Sequence, residues 1–140
     1  MKQRILLSAT LLFFLTPLTL WAGDFAWIQD FNIRAQTNPS EFRAKIALRF
    51  HVGDAQIHTV LTHFPQPSDA YIALRLAEMS GKPMEDIITQ YQARKGRGWG
   101  VVAKGLGIKP GSPEFHALKN GDDLYNTSSR GKGKAKGKNK

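Results

Sequence analysis

Residues 68–91, SDAYIALRLAEMSGKPMEDIITQY, decide the fold class. Tyr71, Ile72, Leu76 and Met79 recur at helical spacing, and the run stops at Ser80-Gly81. Pro83 then opens a second helix, in which Met84, Ile87, Ile88 and Tyr91 repeat the i, i+3, i+4, i+7 pattern of a half-buried face. Ser68 reads as the cap of the first helix, and Pro65 and Pro67 as the break before it. Two helices of little more than ten residues, joined by a tight turn, set the pattern for the chain.

Working outward, the same punctuation recurs. Asn38-Pro39 reads as an N-cap with proline at the first helical position, followed by Phe42, Ile46 and Phe50 on one face. Val52-Gly53 ends that helix and Asp54 caps the next, which carries Ile57, Val60, Leu61 and Phe64. On the C-terminal side, Gly96, Gly98 and Gly100 predict a loop. Trp99, Val102, Ala103 and Leu106 then mark a short helix closed by Gly107. Ser112-Pro113 opens a last one with Phe115 and Leu118, ending at Asn120-Gly121. No segment alternates as a strand. The expectation is an all-α chain: a compact array of about five to six short helices over residues 38–121, crossing steeply because the connections are short. Residues 23–37, with Phe25, Trp27, Ile28, Phe31 and Ile33 in no clean period, read as either a docking segment or a short first helix.

The two ends differ from this middle. Lys2 and Arg4 precede an apolar run from Ile5 to Leu20, and Trp21, Ala22 and Gly23 follow before the first acid, Asp24. That order is a secretory signal peptide over residues 1–22, cut after Ala22 or Gly23. The alternative is a retained anchor, for which the run falls short of the ~20 residues that span a bilayer. At the other end, residues 122–140 read as a disordered Gly/Lys-rich tail. The formal net charge is +9. Lys2 and Arg4 leave with the signal. Arg130, Lys132, Lys134, Lys136, Lys138 and Lys140 bring six positive charges and no acid. What remains is close to neutral, so the basicity lives in the tail. There is no cysteine. Thiol catalysis, disulfides and cysteine metal sites are thereby excluded, and an expected periplasmic or secreted domain must hold by packing alone.

Residues 98–119, GWGVVAKGLGIKPGSPEFHALK, resemble a group of small exported bacterial proteins of unknown function that share a GWG-x-x-AK-x-LGI-x-PGS-x-EFH-x-LK signature. Leu76 to Tyr91 is similar to the same group. The resemblance implies an all-helical exported domain and no activity. Val102-Ala103-Lys104-x-Leu106-Gly107-Ile108 also resembles the first helix and turn of a helix-turn-helix DNA reader, with Phe115 to Leu118 on the second helix. The turn is longer than usual, and Glu114 and His116 stand where Arg, Asn and Gln would read bases.

Candidate chemistry is sparse. His51, His58, His63 and His116 include no i, i+4 pair and no HExxH, so they read as surface or capping residues, with a histidine metal site as the alternative. There is no P-loop, nucleophile elbow or paired-carboxylate pattern. The sequence thus singles out no catalytic residue, no metal ligand and no cofactor. The remaining candidate is Arg94, Lys95, Arg97 and Trp99. Glycine amides there could approach an anion and Trp99 could stack on a ring, or Trp99 could be a core anchor continuing the face of Val102 and Leu106. The sequence-level expectation is an exported, non-enzymatic helical binding or interaction module of the bacterial envelope. Its tail would meet an anionic polymer or lipid surface, or merely solubilise the chain; a protein partner is the other kind of contact expected. A helix-turn-helix-like nucleic-acid binder and a histidine metal-binding protein are the alternatives.

Overall fold

The computed structural model describes residues 25–126. The expected signal segment and the tail beyond Asn126 lie outside the described residues. Among these, all regular structure is helical, in seven elements: α1 (Ile28–Thr37), α2 (Pro39–Phe50), α3 (Asp54–His63), α4 (Pro67–Ser80), α5 (Met84–Ala93), α6 (Trp99–Gly105) and α7 (Pro113–Asn120).

The all-α reading holds, with one helix more than the five to six expected. The addition is α1, inside the 23–37 segment. Its pattern is aperiodic because Trp27 and Ile28 sit at its start and are half-buried, while only Phe31 and Ala35 reach the core and Ile33 faces solvent.

Helix boundaries follow local chemistry. Asn38 caps α2 by accepting from the Glu41 amide at 3.2 Å, and Ser112 caps α7 by accepting from the Phe115 amide at 3.3 Å. Each satisfies one of the donors a helix start leaves open. Two expected caps are displaced. Asp54 is the first residue of α3, and its flank Gly53 donates its amide to Gln56 Oε1. Ser68 lies inside the first turn of α4, 1% exposed, and its amide donates to Asn32 Oδ1 of α1 at 2.8 Å. Proline at Pro67 starts that helix two residues earlier than a cap at Ser68 predicts, with Gln66 in the cap position.

The helix from the deciding stretch, α4, is the hub. Ala70, Tyr71, Ile72, Ala73, Leu74 and Leu76 are all buried, and α4 packs against α1, α3, α5 and α7. A helix buried around most of its girth is what a central element requires. Around it, α2 packs on α1 and α3, and α6 packs on α5.

The ends of the described chain meet. The Phe25 amide donates to the Lys119 carbonyl at 2.9 Å and Trp27 Nε1 to the Leu118 carbonyl at 3.0 Å. The N-terminal segment thus satisfies carbonyls that the end of α7 leaves free. Residues 122–126, assigned by sequence to the tail, are part of the fold. Leu124 is 5% and Asp122 8% exposed, and the Asp122 carboxylate accepts from the amides of Leu124 and Tyr125 and from Asn126 Nδ2. A polar run can pack when its own carboxylate closes the turn, and hydrophobicity does not register this.

Candidate functional site

The structure has two charged centres, and they differ in kind. The first fastens residues 122–126 to the helices. Tyr71 donates its hydroxyl hydrogen to Asp123 Oδ1 at 2.7 Å and accepts from the Asp123 amide at 3.0 Å. Arg49 of α2 donates Nε to Asp123 Oδ2 at 2.9 Å and both terminal nitrogens to Glu78 at 2.9 and 3.0 Å. Arg75 reaches Glu78 at 2.8 Å and Asp123 at 3.5 Å. Burial pushes the Asp123 carboxyl up, but hydrogen bonds from Tyr71 and Arg49 and the charge of Arg75 outweigh it and hold the group below its ordinary value. The hydrogen bond from Arg49 does the same for Glu78, against a smaller effect of burial. Burial raises the Tyr71 hydroxyl far above its usual range, so it stays a donor. Two arginines facing two carboxylates leave little charge to spend on a ligand. This centre is a fastening, and the recess of about 410 Å³ beside it, with Lys45 and His51 on its rim, shares Arg49 with that fastening.

The second centre is the loop between α5 and α6. After Ala93 the chain turns through Gly96 and Gly98, at φ of 81° and 84°. Left-handed backbone of this kind suits glycine. The amides of Arg94, Lys95 and Arg97 all donate within the turn, to the Tyr91, Gln92 and Arg94 carbonyls. They are therefore not aimed outward as an anion nest. Trp99 turns inward: its ring stacks on Tyr91 at 5.0 Å and lies 6.0 Å from Phe64, and its Nε1 donates to Asp69 Oδ1 at 3.0 Å. Burial raises the Asp69 carboxyl, and the Trp99 hydrogen bond partly offsets this. Trp99 thus occupies the core-anchor position weighed against the stacking role. Lys95 and Arg97 are exposed, while Arg94 is half-buried against α6.

The remaining candidates are dispersed. His51, His58, His63 and His116 are exposed, and among the described residues no group of three His, Cys, Asp or Glu side chains comes together to hold a metal. His51 takes a left-handed cap at φ 54° after α2, which ends that helix two residues before the expected stop. In the helix-turn-helix resemblance, α6 and α7 are separated by Leu106–Ser112, and the outward residues of α7 are Glu114, His116 and Ala117. A groove of about 460 Å³ runs beside α3, α4 and α5, lined by Val52, Val60, Leu74, Ala77 and Met84 with Glu85 at its edge. Gln56 and Thr59 also line it, and Glu85 is the one ionisable residue of that lining. Residues 130–140 lie outside the described residues.

Sequence reasoning missed the contacts that give these centres their character. Arg49, Glu78 and Asp123 are far apart in the chain and carry no shared motif. The packing of Arg94 on Gly105 joins two helices across a loop. The one available signal was Asn120-Gly121-Asp122-Asp123, a turn sequence rather than a tail sequence. Comparison of the chain with protein families, curated proteins and solved structures finds no match.

Proposed function

We propose that the chain is an exported, non-enzymatic helical binding module of the bacterial envelope, whose basic C-terminal run contacts an anionic polymer or lipid surface. The observation that carries this reading is charge segregation: residues 130–140 hold six cations and no acid. Over residues 24–129, by contrast, cations and carboxylates nearly balance, and Arg34, Lys45, Arg49 and Arg75 pair with acids there. The signal-like start and the resemblance of Gly98–Lys119 to small exported proteins support the same compartment.

Six charges at about 1 kcal/mol each near a strongly anionic membrane give useful affinity, which weakens as added salt screens them. The test is binding of the chain to anionic vesicles and to acidic polysaccharide, at low and moderate salt, with the six cations of 130–140 intact or all replaced by Gln. Binding that falls steeply with salt and is cut strongly by the replacement supports the reading. Equal binding by both proteins overturns it.

A further inference from the structure

From Ile87 to Pro113 the chain carries five cations, Arg94, Lys95, Arg97, Lys104 and Lys109, and no carboxylate. Because α6 packs on α5, Arg94, Lys95 and Arg97, at the end of α5 and in the loop after it, lie in the connection to the helix that carries Lys104. Arg94 lies across the end of α6. A Cβ added to Gly105 would come within 2.6 Å of its guanidinium carbon and 2.7 Å of Gln90 Oε1. Glycine at 105 therefore lets this guanidinium lie close against the helix, and a side chain there would push its flexible tip aside. Gln90 Oε1 accepts one of its hydrogen bonds. A guanidinium has five N–H donors, and every ion pair among the described residues uses Arg34, Lys45, Arg49 or Arg75 instead.

The surroundings extend the pattern. Lys95 and Arg97 are exposed in the adjoining loop, and Lys104, next to Gly105, is exposed on α6. Val101 is 36% exposed. Three residues before Lys104, it shares that residue's helix face. Cations around an apolar side chain suit a lipid interface, where a phosphate meets the charge and the acyl boundary meets the valine. Trp99 is held in the Tyr91–Phe64 stack, so the surface lacks the free aromatic platform that single-stranded nucleic acid favours.

We infer that this end of the domain docks on the phosphate headgroups of an anionic lipid bilayer. Arg94, positioned by Gln90 and Gly105, supplies the oriented donors. Lys95, Arg97 and Lys104 supply the surrounding charge, and Val101 the apolar contact. The inference rests on the envelope reading above for its lipid but not on the tail, and gives the chain a second, oriented contact.

The experiment is co-sedimentation of the full chain with vesicles of phosphatidylglycerol in phosphatidylcholine at low salt. K95Q/K104Q is compared with R43Q/K82Q, which removes the same charge elsewhere. At roughly fivefold per cation near an anionic surface, the first pair lowers affinity on the order of 25-fold, and the second by less than about threefold. Arg94→Gln removes the guanidinium itself and is expected to lower affinity about fivefold, whereas Gly105→Ala only shifts its flexible tip and is expected to cost less. Gln90→Met provides a second uncharged perturbation, with helicity checked by circular dichroism. Equal losses for the two charge pairs would reduce the effect to net charge and overturn the inference, as would tighter binding to single-stranded DNA than to vesicles. If Gln replacement of the six tail cations abolishes binding while K95Q/K104Q leaves it unchanged, this inference fails and the tail reading stands. The reverse pattern removes the tail reading and keeps the patch. No effect of either removes both.

Discussion

Arginines at the two charged centres do opposite work. Arg49 and Arg75 are opposed by Glu78 and Asp123, so their charge is consumed in fastening residues 122–126 to α2 and α4. Arg94 and its neighbours meet no carboxylate among the described residues. Residue type alone does not distinguish the two. What distinguishes them is whether the chain returns an acid to the same place. At the fastened end a segment distant in sequence supplies Asp123; at the open end, the 27 residues from Ile87 to Pro113 contain none. The first arrangement favours stability, and the second leaves charge available at some cost in self-repulsion.

The largest effects should come from the aromatic anchor beneath each centre. Tyr71 packs against Trp27, Phe31 and Phe50 at ring separations of 5.6, 5.1 and 5.9 Å. Trp99 packs against Tyr91 and Phe64. Truncation to alanine at either position is expected to cost about 3–5 kcal/mol in urea unfolding. Conservative variants then separate the anchors from their polar partners. Tyr71→Phe keeps the ring and removes both hydrogen bonds to Asp123, and Trp99→Phe leaves the Asp69 carboxylate without its donor. Each is expected to cost about 1–3 kcal/mol. A Phe variant as damaging as the Ala variant would mean that the rings themselves contribute little.

Arg49→Ala comes next. It strips three hydrogen bonds and leaves Arg75 as the one cation facing Glu78 and Asp123. The expected loss is about 1–3 kcal/mol, above the usual yield of a surface ion pair because the arginine joins three segments of chain. Stability unchanged within error would reduce the fastening to a set of independent surface pairs.

These contrasts show how legible the molecule was from its residues. The helices from 38 to 121 were readable because proline or glycine bounds each one, Asn38 and Ser112 cap the first and last, and the apolar spacing between those marks is regular. Helix α1 was not, because only Phe31 and Ala35 of it reach the core while Phe25 and Trp27, ahead of it, add aromatic contacts outside the helical period. Residues 122–126 were hidden for a related reason. Their burial depends on Asp122 closing a turn and Tyr125 meeting the Phe31 ring at 5.2 Å, and polar composition argued for a tail. Of the candidate site, the cations were legible as a loop cluster. The inward turn of Trp99 was legible from the face it shares with Val102 and Leu106. The seat of Arg94 was not, since Gly105 looks like any helix-ending glycine until α5 lies beside it.

Acid should act on the fastened end with a defined sign. Glu78 and Asp123 are held below their ordinary values of 4.5 and 3.8. Their contribution to stability is therefore fully present above those values and is lost as pH falls through the lower folded ones. Asp69, raised above 3.8, acts in the opposite sense: it disfavours the fold at neutral pH, and that penalty disappears as the group is protonated. Urea midpoints measured from pH 6 to pH 2.5 should show net acid destabilisation that is shallower in Asp123→Asn and steeper in Asp69→Asn. Parallel curves for all three proteins would remove both groups from the account.

The smallest expected change in stability is at the open end, and it sharpens the comparison most. Lys95 and Lys104 are exposed and form no ion pair among the described residues. Their replacement by Gln removes no contact, and surface changes of that kind stay within about 0.5 kcal/mol. Relief of repulsion with Arg94 and Arg97 sets the sign: K95Q/K104Q should be neutral to slightly more stable, most visibly at low salt, where screening is weakest. A thermal midpoint that falls by several degrees would place these lysines in the packing of α6 on α5. Their charge would then serve the fold as Arg49 does, and the distinction between a fastened and an open end would collapse.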